Sequence, residues 1–592
     1  MRPRRVEVGA ICATAILLGA NLAAAQGPRQ GPCGQITAAC EQAGFERGAA
    51  RAGNGILIDC VRPIMQGGPQ PRRATKPLPQ VGPELVTACR ASNPNFGQSN
   101  APPSQAAPQP PPSDPKLTLG PAPAVPAGTK RPNIVFVLAD DFAMNLVQFM
   151  PQVRQMQKDG VTFANYFVTD SLCCPSRSSI FTGRYPHNTG IYRNVGPDGG
   201  YLGFLKRGHE RVTFAAALEA AGYRTAMLGK YLNGYQPKTH AVPPGWSEWD
   251  VAGNGYGEFN YDLNQNATIN RYGRTPADYL TDVVSAAAVR FIKQSAGTPF
   301  MVEVATFAPH APYTPAPRDA DAFPGLTAPR TPAFNAAPNA DDPPWLRALA
   351  ALSPADTAAI DRDFRKRAQS VLAIDVMIGQ LQAAVAAIGA IDNTYFVFSS
   401  DNGYHMGEHR MMPGKMTAFG TDIHVPLIVT GPGVPAGRTI DEIVENIDLC
   451  PTFTELGFAA TPANVDGHSL VPLLRGQQPD AWRAAALIEH RGPLRQLADP
   501  DMPGPRGGNP PTYEAIRMPH ALYVEYATGE KEYHDLAADP DEFRNTFPSL
   551  SAKAKASLHA TLEAVQTCRD AVNCWAAARW PAAAPQRRGE VL

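Results

Sequence analysis

The sequence predicts an α/β protein with a mostly parallel central sheet flanked by helices, a smaller C-terminal α+β subdomain and a small N-terminal disulfide-stapled module. Three observations carry this expectation. Apolar runs such as Pro132–Ala139 and Thr394–Phe398 have the composition of strands buried on both faces. Helical patterns alternate with such runs, the order that builds parallel sheets. Four cysteines, Cys33, Cys40, Cys60 and Cys89, crowd into one short block.

The elements follow in order. Arg2, Arg4 and Arg5, then an apolar run from Val8 to Ala20 and Ala23-Ala24-Ala25, read as a targeting segment cleaved after Ala25. The apolar run is too short for a confident membrane span, so the mature protein is expected to be exported, periplasmic or secreted. An oxidising compartment suits the cysteine block of residues 26–92 and the pair Cys568 and Cys574. Four cysteines allow three pairings, and the block holds no histidine that would favour zinc. Short helices are expected over 36–43 and 83–90. Residues 93–131, rich in Pro, Ala, Gln and Ser, read as a semi-extended linker. A catalytic domain is expected over 132–475 and the C-terminal subdomain over 476–592. Between strands at 132–139 and 394–400 the pattern places helices over 212–221, 277–295 and 360–388, and strands over 223–228 and 299–305. Beyond them come a strand at 425–430, a helix over 446–456 and strands at 486–490 and 521–526. Thr528-Gly529 turns the last of these into a hairpin with 531–536. Lys plus Arg and Asp plus Glu both count 53, so zero net charge gives no reason to expect a nucleic acid partner.

Polar groups gather at the strand ends. Asp140-Asp141 follows the first buried strand and Asp401-Asn402 a second one, four oxygen donors of the kind that hold Ca²⁺ or Mg²⁺. Lys230 and Asn233 follow the strand at 223–228, His310 follows that at 299–305, and His405 and Lys415 lie just past Asp401. Taken singly each reads as solvated surface; their recurrence at strand ends is the signal. In Cys173-Cys174-Pro175-Ser176-Arg177, a cysteine and an arginine stand four residues apart at the start of a small-residue run that could open a helix. Backbone N–H groups at such a place favour an anion. A buried pair of vicinal cysteines on a turn is the plain alternative.

The stretch Cys173-x-Pro175-Ser176-Arg177 completed by Thr182-Gly183-Arg184 resembles the signature of the type I, formylglycine-dependent sulfatases, and the resemblance extends over about residues 130–550. It implies an alkaline-phosphatase-like sandwich. It also implies that Cys173 is converted to 3-oxoalanine (formylglycine) by a formylglycine-generating enzyme, with the hydrated aldehyde as nucleophile. One divalent cation, Ca²⁺ rather than Mg²⁺, is implied at Asp140, Asp141, Asp401 and Asn402, with Arg177, Lys230, His310 and Lys415 around the sulfate. Gly229-Lys230-Tyr231-Leu232-Asn233 and Asp401-Asn402-Gly403-Tyr404-His405-Met406-Gly407-Glu408 look most like the branch containing N-acetylglucosamine-6-sulfatase and the heparan endosulfatases. Leu232 stands where many aryl-type members have a histidine, so His405 is expected to contact the substrate, a sulfated small molecule or glycan, or to take over part of that histidine's task, and Asn233 is expected to bind substrate. A phosphonate or phosphate ester hydrolase of the same superfamily, or an inactive glycan- or envelope-binding protein, is the other reading. The loop 499–511 is expected to be mobile at the site's mouth, and Cys174 and Cys450 to be free and buried.

Overall fold

The computed structural model describes residues 31–45, 55–67, 70, 74–92, 117–479, 481–494, 499, 502, 504 and 506–579. The expected targeting segment and most of the linker lie outside them. The chain forms two compact units that divide at Gln109 and Pro110. In the first, helices Pro32–Gln42 and Pro83–Ser92 and the short turns Ile56–Val61 and Arg62–Gln66 are joined by the disulfides Cys33–Cys89 and Cys40–Cys60. Ile36, Phe45, Val61 and Met65 fill its small core.

The second unit is built on a ten-stranded sheet. Its strands are β1 (Asn133–Ala139), β2 (Val161–Phe167), β3 (Arg224–Lys230), β4 (Glu248–Ala252), β5 (Asp262–Gln265), β6 (Thr268–Arg271), β7 (Phe300–Ala305), β8 (Thr394–Ser400), β9 (Leu427–Thr430) and β10 (Arg438–Glu445). They lie in the order β10-β2-β9-β8-β1-β7-β3-β4-β5-β6. The middle, β8-β1-β7-β3-β4, is parallel throughout, whereas β9 runs antiparallel to both neighbours and β5 and β6 close the edge as a hairpin. Alternate residues of β1 feed opposite layers, as a period of two requires. Ile134, Phe136 and Leu138 pack with helices Cys173–Thr182, Phe214–Ala220 and Leu449–Leu456. Val135, Val137 and Ala139 pack with Pro151–Asp159, Leu280–Gln294 and Pro354–Ala387.

The helix expected over 360–388 starts earlier, at Pro354, because Ser353 and Asp356 form a capping box around a proline at the first helical position. Among the described residues it alone is long and apolar enough to cross a membrane, yet Ile360, Phe364, Val371, Ile374 and Leu381 are buried against the sheet. Residues 117–131, assigned by composition to the linker, run along the catalytic body. There Gly120 N–H donates to Thr461 O (2.8 Å) and Ala463 N–H to Thr118 O (2.9 Å).

Four antiparallel strands, β11 (Ala486–His490), β12 (Tyr513–Met518), β13 (Ala521–Tyr526) and β14 (Lys531–Asp535), form the C-terminal sheet, including the expected hairpin. Helix Ala552–Gln566 covers one face, and Cys568–Cys574 closes the turn to helix Asp570–Ala577. Buried Arg483 ties this sheet to the main body through Glu445 and through Asp448 Oδ1 (2.5 Å). Arg483→Leu strands buried carboxylates and is expected to cost roughly 3–5 kcal/mol, read as a lower urea midpoint.

Candidate active site

The site forms because of strand register. Ala139 of β1 pairs with Ser400 of β8, so the residues that follow each strand, Asp140-Asp141 and Asp401-Asn402, emerge side by side at the C-terminal rim. β7 and β3 lie next in line, bringing His310 and Lys230 to the same rim. Gly229 is required there: it has φ +96°, and a Cβ on it would lie 1.9 Å from Ala305 O. The helix Cys173–Thr182 begins at Cys173 itself, tolerates Pro175 in its first turn, and ends at Gly183 with φ +68°, whose N–H donates to Ser179 O (2.8 Å). Asn446 holds this helix, accepting from Thr169 N–H (3.3 Å) and donating to Ser176 Oγ (2.9 Å).

The side chains converge in a buried centre. Ligand atoms of Asp140, Asp141, Cys173 and His310 all lie within 4.8 Å of one another. The Cys173 thiol donates to Asp140 Oδ1 (3.2 Å), and Lys415 Nζ donates to Cys173 Sγ (2.9 Å) and Asp141 Oδ1 (2.6 Å). Lys230 Nζ bonds Asp140 Oδ2 (2.5 Å), while Arg177 bonds Asp401 Oδ2 through Nε (2.7 Å) and Lys230 O through Nη1 (2.9 Å). His310 Nδ1 meets the Ala311 carbonyl oxygen (2.7 Å), so that nitrogen carries the proton and Nε2 faces Asp141 Oδ2 at 3.5 Å. Burial, and then the neighbouring Asp401 carboxylate, push Asp140 up to about 6. Burial also opposes ionisation of Asp401, but Arg177, Lys230 and Lys415 outweigh it and hold that carboxyl at about 2.

The donor set fits a hard cation. Asn402 Nδ2 gives its two hydrogens to Asp141 Oδ1 (2.7 Å) and Gly403 O (2.9 Å), which turns Oδ1 the other way, buried and without a hydrogen-bond partner. An orphaned amide oxygen beside three carboxylates is the arrangement a divalent ion completes.

Several supporting residues escaped the sequence reading. Arg367, 1% exposed, donates to Pro309 O (3.1 Å) and Asp141 O (2.5 Å), holding Asp141 at φ +59°. Its signal was available: it interrupts the apolar stripe Ile360, Phe364, Val371, Ile374 at helical spacing. Tyr256 stands over the site, its ring 4.6 Å from that of His310 and 4.9 Å from Lys230 Nζ, and accepts from Asn233 Nδ2 (3.2 Å). The loop expected to be mobile is docked where described. Asp499 is buried and accepts from Asn194 Nδ2 (3.3 Å), and Asn194 Oδ1 in turn accepts from Cys174 N–H (2.9 Å). Cys174 and Cys450 are free and buried, and burial pushes the Cys174 thiol up to about 12.

His405 departs from the expectation that it meets substrate. Its ring is fully buried, with Nδ1 3.0 Å from both Asp422 oxygens and Nε2 3.2 Å from Gly507 O, so it ties two loops together. Burial opposes its charge, and the Asp422 carboxylate overcomes this and raises its pKa. A pKa raised on folding gives stability that is full below the unfolded value near 6.5 and is lost as pH rises through the folded value. The stability difference between the protein and Asp422→Asn, measured in urea, is therefore expected to shrink from pH 6 to pH 9.

Residues 132–457 match the Sulfatase family, and residues 407–568 match the C-terminal region of N-sulphoglucosamine sulphohydrolase. The chain belongs to the sulfatase family. This sulfatase is 34% identical to human N-acetylglucosamine-6-sulfatase over 476 residues, covering 75% of this chain and 86% of that protein. Among solved structures it resembles one in complex with its substrate D-glucosamine-2-N,6-O-disulfate, with a TM-score of 0.62 at 24% identity, covering 73% of this chain and 97% of that one. It also resembles the phosphonate monoester hydrolase of Agrobacterium radiobacter, with a TM-score of 0.57 at 22% identity, covering 75% and 97%. The sulfatase shares their alkaline-phosphatase-like fold.

Proposed function

We propose that the protein is an exported hydrolase of sulfate esters on a sulfated sugar, such as N-acetylglucosamine 6-sulfate or a related glycan. The observation that carries this is the convergence of Cys173, Lys415 and the Asp140-Asp141 pair in a sulfatase whose human relative is an N-acetylglucosamine-6-sulfatase. Formylglycine, formed from Cys173 by a formylglycine-generating enzyme, would supply the nucleophile at the start of the helix Cys173–Thr182. A divalent cation, Ca²⁺ by family resemblance, would be held by Asp140, Asp141, Asp401 and Asn402 and would supply charge that polarises the sulfate.

The chain's own groups do the rest. Arg177 fixes Asp401 and neutralises it. Lys415 beside Cys173 Sγ and Lys230 on Asp140 set positive charge near the nucleophile, where negative charge grows as the S–O bond breaks. His310, its proton fixed on Nδ1 by Ala311 O, turns Nε2 toward the reaction centre, where it can hold a proton for the leaving oxygen. Asn233 meets the sugar beside Tyr256.

A second reading, hydrolysis of phosphonate or phosphate esters, is favoured by the likeness to the phosphonate monoester hydrolase. One experiment separates them: the mass of the tryptic peptide ending at Arg177, paired with release assays on an aryl sulfate, N-acetylglucosamine 6-sulfate and a phenyl phosphonate. A loss of about 18 Da at Cys173, the change from thiol to aldehyde of an activated nucleophile, with sulfate release dominant, is the expected result. Dominant phosphonate release selects the second reading, and an unmodified thiol in inactive protein leaves a binding protein.

A further inference from the structure

A cleft of about 530 Å³ lies next to the catalytic groups, with Asn233 and Tyr256 in its lining. Tyr256 joins the two, since its ring packs against His310 and Lys230 and also lines the cleft, and Asn233, which donates to Tyr256 OH, lines it as well. Beyond this shared wall the lining is amide-rich: Gln236, Asn254 and Asn260 project from two segments, 233–238 and 253–262. The charged lining residues, Lys238 and Asp262, neutralise each other at 2.7 Å. Aromatic faces with amide donors and acceptors and no net charge suit the apolar face and hydroxyl edge of a sugar. The volume falls within the range of about 300–1,000 Å³ that encloses molecules larger than a single hexose.

Both walls are held in shape before any ligand arrives. Tyr235 OH accepts from Trp249 Nε1 and Asn264 Nδ2, both at 2.9 Å, anchoring the first segment. In the second, buried Glu258 at φ +60° accepts from Thr281 N–H and Oγ1, both at 2.9 Å, and Tyr261 OH donates to Asp278 O (3.0 Å). Such a preorganised surface loses little entropy on binding.

We infer that this cleft is a subsite for an uncharged sugar unit adjoining the sulfated one, so that the substrate is a sulfated oligosaccharide and residues 236, 254 and 260 select it. The inference rests on the sugar sulfatase reading above and names the substrate's size and the neighbouring unit's chemistry. Tyr256 is the element common to the two parts of the site, placed to touch both the sulfated sugar and the next ring.

The test compares kcat/KM for N-acetylglucosamine 6-sulfate and for a tetrasaccharide containing the same 6-sulfated unit, in the metal-loaded, full-length protein and in Gln236→Ala/Asn254→Ala. Both replaced residues are exposed, which limits damage to the fold. A few hydrogen bonds and one stacked ring correspond to about tenfold or more in favour of the tetrasaccharide. That preference is expected to collapse toward unity in the double variant. It is also expected to persist in 0.3 M salt, roughly the range where screening removes contacts between exposed charges. Equal kcat/KM for the two sugars in the unaltered protein, or a preference that the double variant leaves intact, overturns the subsite while leaving the sulfatase reading in place. Failure to release sulfate from either sugar, with phenyl phosphonate turned over, overturns both.

Discussion

Cys173→Ala is expected to lower sulfate ester hydrolysis by about 10⁴-fold or more, the size of effect seen when a catalytic nucleophile is removed. The loss should be chemical rather than structural. Alanine keeps the Cβ and has the highest helix propensity, so the helix Cys173–Thr182 still starts where it does. The neighbouring cysteine supplies the contrast. Cys174 is equally buried, but its thiol is pushed up to about 12 by that burial and its side chain packs in the apolar layer. Cys174→Ala is therefore expected to cost roughly 1–2 kcal/mol of stability as a small core truncation and to retain turnover. Activity measured on an aryl sulfate for both variants, beside their urea midpoints, checks this; a Cys173→Ala protein that still turns over would remove the nucleophile from the mechanism.

Lys415→Ala is expected to reduce kcat by about 10²–10³-fold, the usual consequence of deleting one preorganised donor at developing negative charge. Lys415 is 3% exposed and reaches both Asp141 Oδ1 and Cys173 Sγ, so no water-facing cation can replace it. Asp141 would retain Asn402 Nδ2 at 2.7 Å, which keeps its position while the charge beside the nucleophile is lost. The discriminating reading is the split between constants. An effect mainly on kcat means that the lysine acts on charge formed in the transition state. An effect confined to KM would recast it as an anchor for the ground-state sulfate.

Much of the site could be read in the chain because its parts are short and local. Two carboxylate-bearing pairs at the ends of apolar strands, and a cysteine opening a helix, are patterns that a few consecutive residues specify. The strands β1, β7 and β8 were legible for the same reason, since burial on both faces demands unbroken apolar runs. Elements that bury one face only, such as β2 and β10, were missed: Val161-Thr-Phe-Ala-Asn-Tyr-Phe and Arg438-Thr-Ile-Asp-Glu-Ile-Val-Glu mix polar with apolar residues as edge-proximal strands do. Arg367 was missed because it ends the basic run Arg365-Lys366-Arg367, and such a run in a long helix usually reaches solvent. His405 was misjudged because only the fold reveals that Asp422 and Gly507 enclose it.

By itself, then, the sequence determined the chemistry available: a cysteine in its signature, four oxygen donors, two lysines and a histidine, each beside a strand or helix whose local pattern is strong. Tertiary structure alone decided the geometry. The register that pairs Ala139 with Ser400 brings donors 260 residues apart to within a hydrogen bond, Asp141 N–H to Asp401 Oδ1 at 3.1 Å. Segments 233–238 and 253–262 together line a cleft that neither stretch encodes alone. The physical reason is range: helix and strand preferences act over a few residues, whereas a site that excludes water needs contacts between chain segments that meet only once the core has packed.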